Sequence, residues 1–251
     1  MFALARGRYA ARFATNEADL RAAQMLRWRS FIGRHRDDEA ADHRDADAFD
    51  AMCRHVLVED VASGRLVCCF RILNLRDGAD IGRSYSAQFY ELSALRGYRG
   101  RMVEMGRFCL DPDMHDPDIL RVAWAAMTRF VDEEGVELLF GCSSFTGTAW
   151  QNYADAFALL ADRHLAPPRW LPRIKAPRVV RYVRALAGRV GDPQKAMREM
   201  PPLLRSYLLM GGWVSDHAVI DPDLNTLHVF TGLEIRSIPP GRARALRMVA
   251  G

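Results

Sequence analysis

A mixed α/β fold, with helices packed against a sheet of about five or six strands in the first ~160 residues, is what the sequence predicts. Three observations predict it. Met102–Leu110 reads as a strand, a helix-periodic segment follows, and Val136–Cys142 is a continuous apolar run. Such a strand–helix–strand unit implies two parallel neighbours joined by a right-handed crossover. His55–Glu59 and Leu66–Leu73 flank the turn Asp60–Gly64 as a hairpin. A composition of 49% hydrophobic and 26% charged over 251 residues supplies a packed core and excludes collagen, coiled coil and general disorder.

The elements follow in chain order. Tyr9–Phe13 is a short strand, and a helix covers Glu17–Ile32, with Asn16 as N-cap and Asp19 in a capping-box position. Arg27 and Phe31, four apart, share a helix face. His35–Ala51 is a polar, acidic loop with some helix. After the hairpin, Ser86–Leu95 is a weak helical stretch. On Met102–Leu110, alternation places Val103, Met105 and Arg107 on one face and Glu104, Gly106 and Phe108 on the other. Asp116 and Pro117 open the next helix as N-cap and N1. Ile119, Val122, Ala123, Ala126 and Phe130 keep helical spacing, and Gly135 ends it. Ser143–Thr148 is a hydroxyl-rich loop in which Thr148 caps a helix over Ala149–Ala161. Arg178–Val190 predicts an amphipathic basic helix, and Pro201 and Pro202 open another to about Met210. Asp216–Ile220 and Leu227–Phe230 are two final strands. Residues 1–162 thus form the core, and 163–251 a basic segment that completes the sheet or covers the site within one structural domain.

Lys and Arg exceed Asp and Glu by 35 to 31, and only Lys175 and Lys195 are lysines. An arginine-favouring codon bias explains that skew. The distribution says more. Arg163–Arg205 holds eleven basic residues against two acids, and Asp37–Asp60 nine acids against two arginines. Two electrostatic faces are expected. The basic one suits an acidic protein or an anionic lipid surface, the acidic one a cationic small molecule. No nucleic-acid motif accompanies the arginines, so nucleic acid is not expected as a partner.

The five cysteines lack a C-x-x-C pair or zinc-site spacing, which points to buried, reduced thiols and no metal. No stretch reaches the roughly 18–20 apolar residues of a membrane span. Met1–Arg12 has three arginines and no apolar signal core. A cytoplasmic protein, peripheral on the inner membrane face if the basic segment binds lipid, is expected.

Several motifs then line up. Arg27-x-x-x-Phe31 is followed by Asp47-x-x-Asp50, a strand ending in Phe70-Arg71, and Glu104-x-x-Arg107-Phe108. This order resembles the acyl-homoserine-lactone (autoinducer) synthases, a GNAT-like branch of acyltransferases that use acyl carrier protein. Gly7-Arg8-Tyr9-x-Ala11-Arg12, Ala23-Gln24-x-Leu26-Arg27, Val103-Glu104-x-Gly106-Arg107-Phe108 and Cys142–Thr148 look closer to the ornithine N(α)-acyltransferases of bacterial ornithine-lipid synthesis. So does the tail from Pro201-Pro202-Leu203-Leu204-x-x-Tyr207 to Asp221-x-x-Asn225-Thr226. No tryptophan lies between Trp28 and Trp124, and Gly106 stands where the lactone synthases usually carry serine. Both departures disfavour the lactone reading. Arg54 stands where the ornithine family would carry an acid.

The resemblance implies a GNAT-like fold with two splayed central strands, and transfer of a 3-hydroxy fatty acyl group from acyl carrier protein to the α-amine of L-ornithine. No bound cofactor is implied. Glu104 would be the general base, with Arg107 beside it. The pattern alone also fits a carboxylate ion-paired with Arg107 or Arg71. Asp47 and Asp50 would bind the cationic side chain, and Arg27 or Arg71 would clamp the carboxylate. A solvated acidic loop is the plain alternative for the aspartates. Phe31 would wall the acyl site or pack in the core. Met102, Val103, Met105, Phe108, Cys142, Ser143, Ser144, Phe145 and Thr146 would line the acyl and pantetheine channel. Asp111-Pro112-Asp113 replaces the glycine-rich loop that holds a coenzyme A pyrophosphate. Acids there repel a pyrophosphate, which favours a carrier-protein donor. Cys109 and Cys142 end the central strands, where an acyl-enzyme thiol would sit, but neither has a neighbouring histidine in sequence. Direct attack is the expectation. The rivals are a lactone synthase that consumes S-adenosylmethionine and a non-catalytic lipid- or carrier-binding module.

Overall fold

The computed structural model describes residues 3–33 and 42–250. In chain order the strands and helices are β1 (Ala3–Arg6), β2 (Tyr9–Phe13), α1 (Glu17–Phe31), β3 (Arg54–Asp60), β4 (Leu66–Leu75), β5 (Tyr90–Glu91), β6 (Met102–Leu110), α2 (Pro117–Glu134), β7 (Leu138–Thr146), α3 (Ala154–Arg163), β8 (Arg173–Ile174), β9 (Val179–Val180), α4 (Tyr182–Ala185), α5 (Pro193–Glu199), α6 (Pro202–Leu209), β10 (Trp213–Val214), β11 (Ala218–Asp221), β12 (Thr226–Glu234) and α7 (Pro240–Ala250). They fall into two compact units, Met1–Asn74 with Met105–Gly135 and Pro240–Gly251, and Leu75–Glu104 with Val136–Pro239. The chain passes from the second unit to the first within β6, between Glu104 and Met105.

In the first unit the strand order is β1-β2-β3-β4-β6, and β1 to β4 are antiparallel neighbours. Pleating sends Leu57 and Cys69 to one face, where Ala23 and Leu26 of α1 pack on them with Cys109. Phe13 and its partner Val56 point to the other face, where Phe13 meets Phe130 of α2 edge-on at 6.0 Å. Asn16 caps α1 by accepting from the Asp19 N–H, while the Asp19 carboxylate accepts from the Thr15 N–H and from Arg12. Asp116, Pro117 and the left-handed Gly135 (φ 63°) bound α2 where the sequence expects them.

In the second unit the order is β6-β7-β12-β11-β9, with β10 also paired to β12. Met102, Val103 and Glu104 pair in parallel with Leu138, Leu139 and Phe140. β12 is antiparallel to the whole of β7. One face of this sheet packs Phe145, Leu227 and Val229 under Phe157, Leu160 and Leu204 of α3 and α6. The other carries Glu104, Phe140, Cys142, His228 and Phe230. Gly232 lies on that second face, and a Cβ there would sit 2.4 Å from the Trp213 ring, so only glycine admits the indole.

Several expected elements differ. Ser86–Leu95 is two 3-10 turns around β5, because Tyr90 and Glu91 pair with Ile174 and Arg173. The hydroxyl-rich segment is mostly strand: β7 runs to Thr146 since β12 offers a partner at every step. Thr148 caps nothing there. A 3-10 turn over Trp150–Tyr153 follows Ala149 without a side-chain cap, and only then does α3 begin. Arg178–Val190 is no amphipathic helix. Val179 and Val180 pair with β11, Tyr182 is core, and Val190 is 95% exposed. β-branched residues at mixed spacing serve a strand as readily as a helix. Asp192 and Pro193 open α5 with the same signature as Asp116 and Pro117. Part of the acidic stretch, residues 34–41, lies outside the described residues.

Candidate active site

Glu104 is 4% exposed. Its carboxylate accepts from the N–H groups of Tyr85 and Ser86, both at 2.7 Å, and from the Ser86 hydroxyl at 2.5 Å. Tyr85 and Ser86 open a 3-10 turn, whose first N–H groups have no partner within the turn and are free to donate outward. Three donors converging on one side chain hold it as an anion of fixed position. The Ser86 hydroxyl also lies 3.4 Å from the Cys142 sulfur. Tyr207 of α6 is buried, and burial first, then the Glu104 charge, push its phenol far above its ordinary range. It is a neutral hydroxyl near a carboxylate.

The first unit holds a different device. Arg27, 1% exposed, donates from Nε to Asp45 at 3.0 Å, from both terminal nitrogens to Asp50 at 2.8 and 2.9 Å, and to the Asp45 carbonyl. Arg71 grips Asp47 at 2.5 and 2.9 Å and Asp50 at 2.8 Å. Arg107 binds Asp45 at 2.9 Å and Asp47 at 3.2 Å. Gln24 donates to Asp50 at 2.9 Å. Three guanidiniums thus interlock with three carboxylates in a neutral lattice. Burial alone would raise the Asp50 carboxyl, but Arg27, Gln24 and Arg71 outweigh it and hold the group below its usual range. Asp47 follows the same balance, with Arg71 and Arg107 as its counterweights. Arg107 takes φ 51°, a left-handed backbone that a non-glycine residue rarely adopts and that breaks the alternation expected on β6.

Residues 26–125 match the family model of the acetyltransferase (GNAT) domain. The chain is 31% identical to an L-ornithine N(alpha)-acyltransferase of Rhodobacter capsulatus over 92% of its own length and 91% of the relative's. It belongs to that acyltransferase family. A relative of the same name from Brucella abortus is 30% identical, covering 90% of this chain and 84% of its own. The solved structure of FeeM, an N-acyl amino acid synthase from uncultured soil microbes, aligns over 97% of both chains with a TM-score of 0.51 at 13% identity, a likeness of fold. The mixed sheet with its helices is therefore the GNAT-like fold, and the chain is an N-acyltransferase.

Within this acyltransferase, the residues singled out from sequence fall into three settings. Arg27, Asp47, Asp50, Arg71 and Arg107 come together in the lattice, where Asp47 has the most exposed side chain of the five, at 24%. Phe31 packs beside the cluster of Ala23, Leu26, Leu57, Cys69 and Cys109, as a core residue does. Phe108 stacks on Phe70 at 5.5 Å. Met102, Val103, Met105 and Phe145 are buried. On β7, Ser144 and Thr146 are exposed, Cys142 is half-buried, and buried Ser143 accepts from the Thr231 hydroxyl at 2.9 Å. Cys109 lies 3.5 Å from the Cys69 sulfur, both thiols free and buried.

Sequence reasoning gave no site role to Asp45, Gln24, Tyr85 or Ser86. Asp45 had a signal, since it shares the acidic run with Asp47 and Asp50. Tyr85 had none, because its contact to Glu104 comes from the backbone.

Proposed function

We propose that this N-acyltransferase moves a 3-hydroxy fatty acyl group from acyl carrier protein to the α-amine of L-ornithine, yielding lyso-ornithine lipid and the free carrier thiol. The observation that carries the reading is the Glu104 carboxylate in its three-donor cradle, in a chain whose relatives are named for ornithine acylation. The α-ammonium loses a proton to Glu104, directly or through one water. The amine nitrogen attacks the thioester carbonyl carbon, and the oxyanion takes hydrogen bonds from backbone N–H groups of the central strands. The C–S bond then breaks, the nitrogen gives up its second proton to leave an amide, and the departing carrier thiolate takes up one proton. Attack is direct. Burial makes Cys109 a poor acyl carrier, and the Cys142 sulfur lies 3.4 Å from the Ser86 hydroxyl that donates to Glu104.

In the lattice, Arg27 has every nitrogen engaged and acts as a positioning residue that holds Asp45 and Asp50. Asp47 and Arg107, at its more open edge, supply the charges that complement an ammonium and a carboxylate. Arg178, Arg181 and Arg184 are exposed and complement an acidic carrier protein or the anionic inner face of a membrane. No helix among the described residues is long and apolar enough to cross a membrane.

One assay tests the reading: purified enzyme, 3-hydroxyacyl-carrier protein, and a panel of amino acids, with products identified by mass spectrometry. N(α)-acylornithine should dominate. A folded enzyme that acylates another amine, or none, sinks it.

A further inference from the structure

The segment Tyr85–Tyr90 holds two groups on one face of the second unit. Its beginning cradles Glu104, as described above. Its end fixes His228 of β12. Phe89 meets the imidazole edge-on at 5.0 Å, and the Tyr90 hydroxyl lies 2.8 Å from the His228 carbonyl and 3.1 Å from its Nδ1. Glu104 pairs with Phe140 and His228 with Ser144, residues an even number of steps apart on β7, so both side chains stand on the same side of the sheet.

His228 is 3% exposed, and its Nε2 is buried with no partner among the described residues. A buried polar atom left this way calls for an explanation. Its protonation follows from its neighbours. A carbonyl only accepts, so the one proton of the Tyr90 hydroxyl goes to the His228 carbonyl. The phenol oxygen is then an acceptor, and Nδ1 must carry the hydrogen that it donates there. That leaves Nε2 as a bare lone pair. Burial, then the neighbouring His217, push this imidazole down to about 4, so it stays neutral. Around it stand rings: Phe89, Tyr90 and, edge-on to Tyr90 at 5.7 Å, Phe230. A lone acceptor among aromatic walls suits an otherwise apolar ligand that brings one donor.

We infer that His228 is a specificity-determining residue of the acyl site, its Nε2 accepting a hydrogen bond from a hydroxyl on the fatty acyl chain. The assignment rests on the acyl transfer proposed above. It carries a directional consequence. A hydroxyl can donate to Nε2, whereas a keto oxygen or a methylene in its place cannot. A site built around a substrate hydroxyl rejects the analogue that lacks it, because the buried partner is then left unpaired.

The test compares kcat/KM for 3-hydroxydodecanoyl-, 3-oxododecanoyl- and dodecanoyl-carrier protein with ornithine, in wild type and two variants. The wild-type enzyme should prefer the hydroxylated donor by at least ~10-fold. His228→Phe should erase that preference while retaining turnover of the dodecanoyl donor. Tyr90→Phe frees Nδ1 of its obligation, lets the imidazole place its hydrogen on Nε2, and should raise the use of the 3-oxo donor relative to wild type. The second variant serves if His228→Phe does not fold. Equal loss on all three donors, or an unchanged preference in a folded variant, means that Nε2 meets only water or packing, and overturns the assignment. A wild type that acylates ornithine without discriminating among the donors also overturns it. A wild type that acylates no amine strikes at the proposed reaction instead.

Discussion

The arginine–aspartate lattice and the Glu104–His228 face solve opposite problems with opposite materials. In the lattice every charge meets a side-chain charge: three guanidiniums close on three carboxylates, and the balance is neutral. On the other face a carboxylate is held by two backbone N–H groups and a serine, and an imidazole is held by a phenol. The buried centre of the lattice, Arg27 with Asp50, is saturated, so its contribution is shape. The second face keeps the His228 Nε2 in reserve, so its contribution is chemistry. Saturation and reserve should respond differently to the loss of one atom.

The largest effect expected is on turnover. Glu104→Gln keeps the side chain's size but removes the proton acceptor, and should lower kcat by roughly 10²–10⁴-fold. An amide in place of the carboxylate also meets facing donors, at a cost of about 1–3 kcal/mol in stability. Turnover by mass spectrometry and a melting curve separate the two. Asp50→Ala reverses the pattern. It strips Arg27 of two of its hydrogen bonds at a site with no access to water. A buried charge without its partner costs about 3–5 kcal/mol, read as a lower denaturant midpoint. Asp47→Ala, at the open edge, should cost clearly less. Equal destabilisation by the two would show that the lattice has no protected centre.

The His228 face predicts a pH dependence. The folded imidazole titrates near 4 and the unfolded one near 6.5, so below 6.5 the unfolded chain binds the extra proton. Stability should therefore fall as pH drops from about 6.5 to 4, by up to about 3 kcal/mol. His228→Phe should make that part of the curve shallower, leaving the share of His55 and His164, which burial also lowers. Asp50 adds a separate loss only at lower pH, as its carboxyl takes up a proton below the ordinary carboxylate range.

What was legible in the sequence follows the same divide. Arg27, Asp47, Asp50, Arg71 and Arg107 stand out because charges that must be buried together recur in one order, and the structure does bring them together. α2 was legible to the residue, since its cap, its proline and its terminal glycine each have one mechanical purpose. Glu104 was legible as a residue, but its cradle was not. Its donors are mostly backbone N–H groups that any sequence carries, set by a 3-10 turn within a stretch that reads as weak helix. His228 was invisible because it lies inside a strand recognised only by apolar alternation. The helix expected over Arg178–Val190 misled for a related reason: periodicity records which residues are apolar and says nothing of the strand waiting to pair with them.

A third kind of ion pair calibrates the lattice. Arg247 of α7 grips Asp132 of α2 with two bonds of 2.8 Å, through Nε and a terminal nitrogen, a bidentate pair as Arg27 makes with Asp50 through its two terminal nitrogens. Its side chains are 53% and 39% exposed, however, against 1% and 6% for Arg27 and Asp50. In water each partner keeps solvent when the other leaves, so Arg247→Ala should change stability by no more than about 1 kcal/mol, and less in high salt. The double variant with Asp132→Ala should show a coupling of similarly small size. If that exposed pair proved as costly to break as Asp50, bond geometry alone would set the energy. Burial would then lose its place as the reason the lattice is rigid.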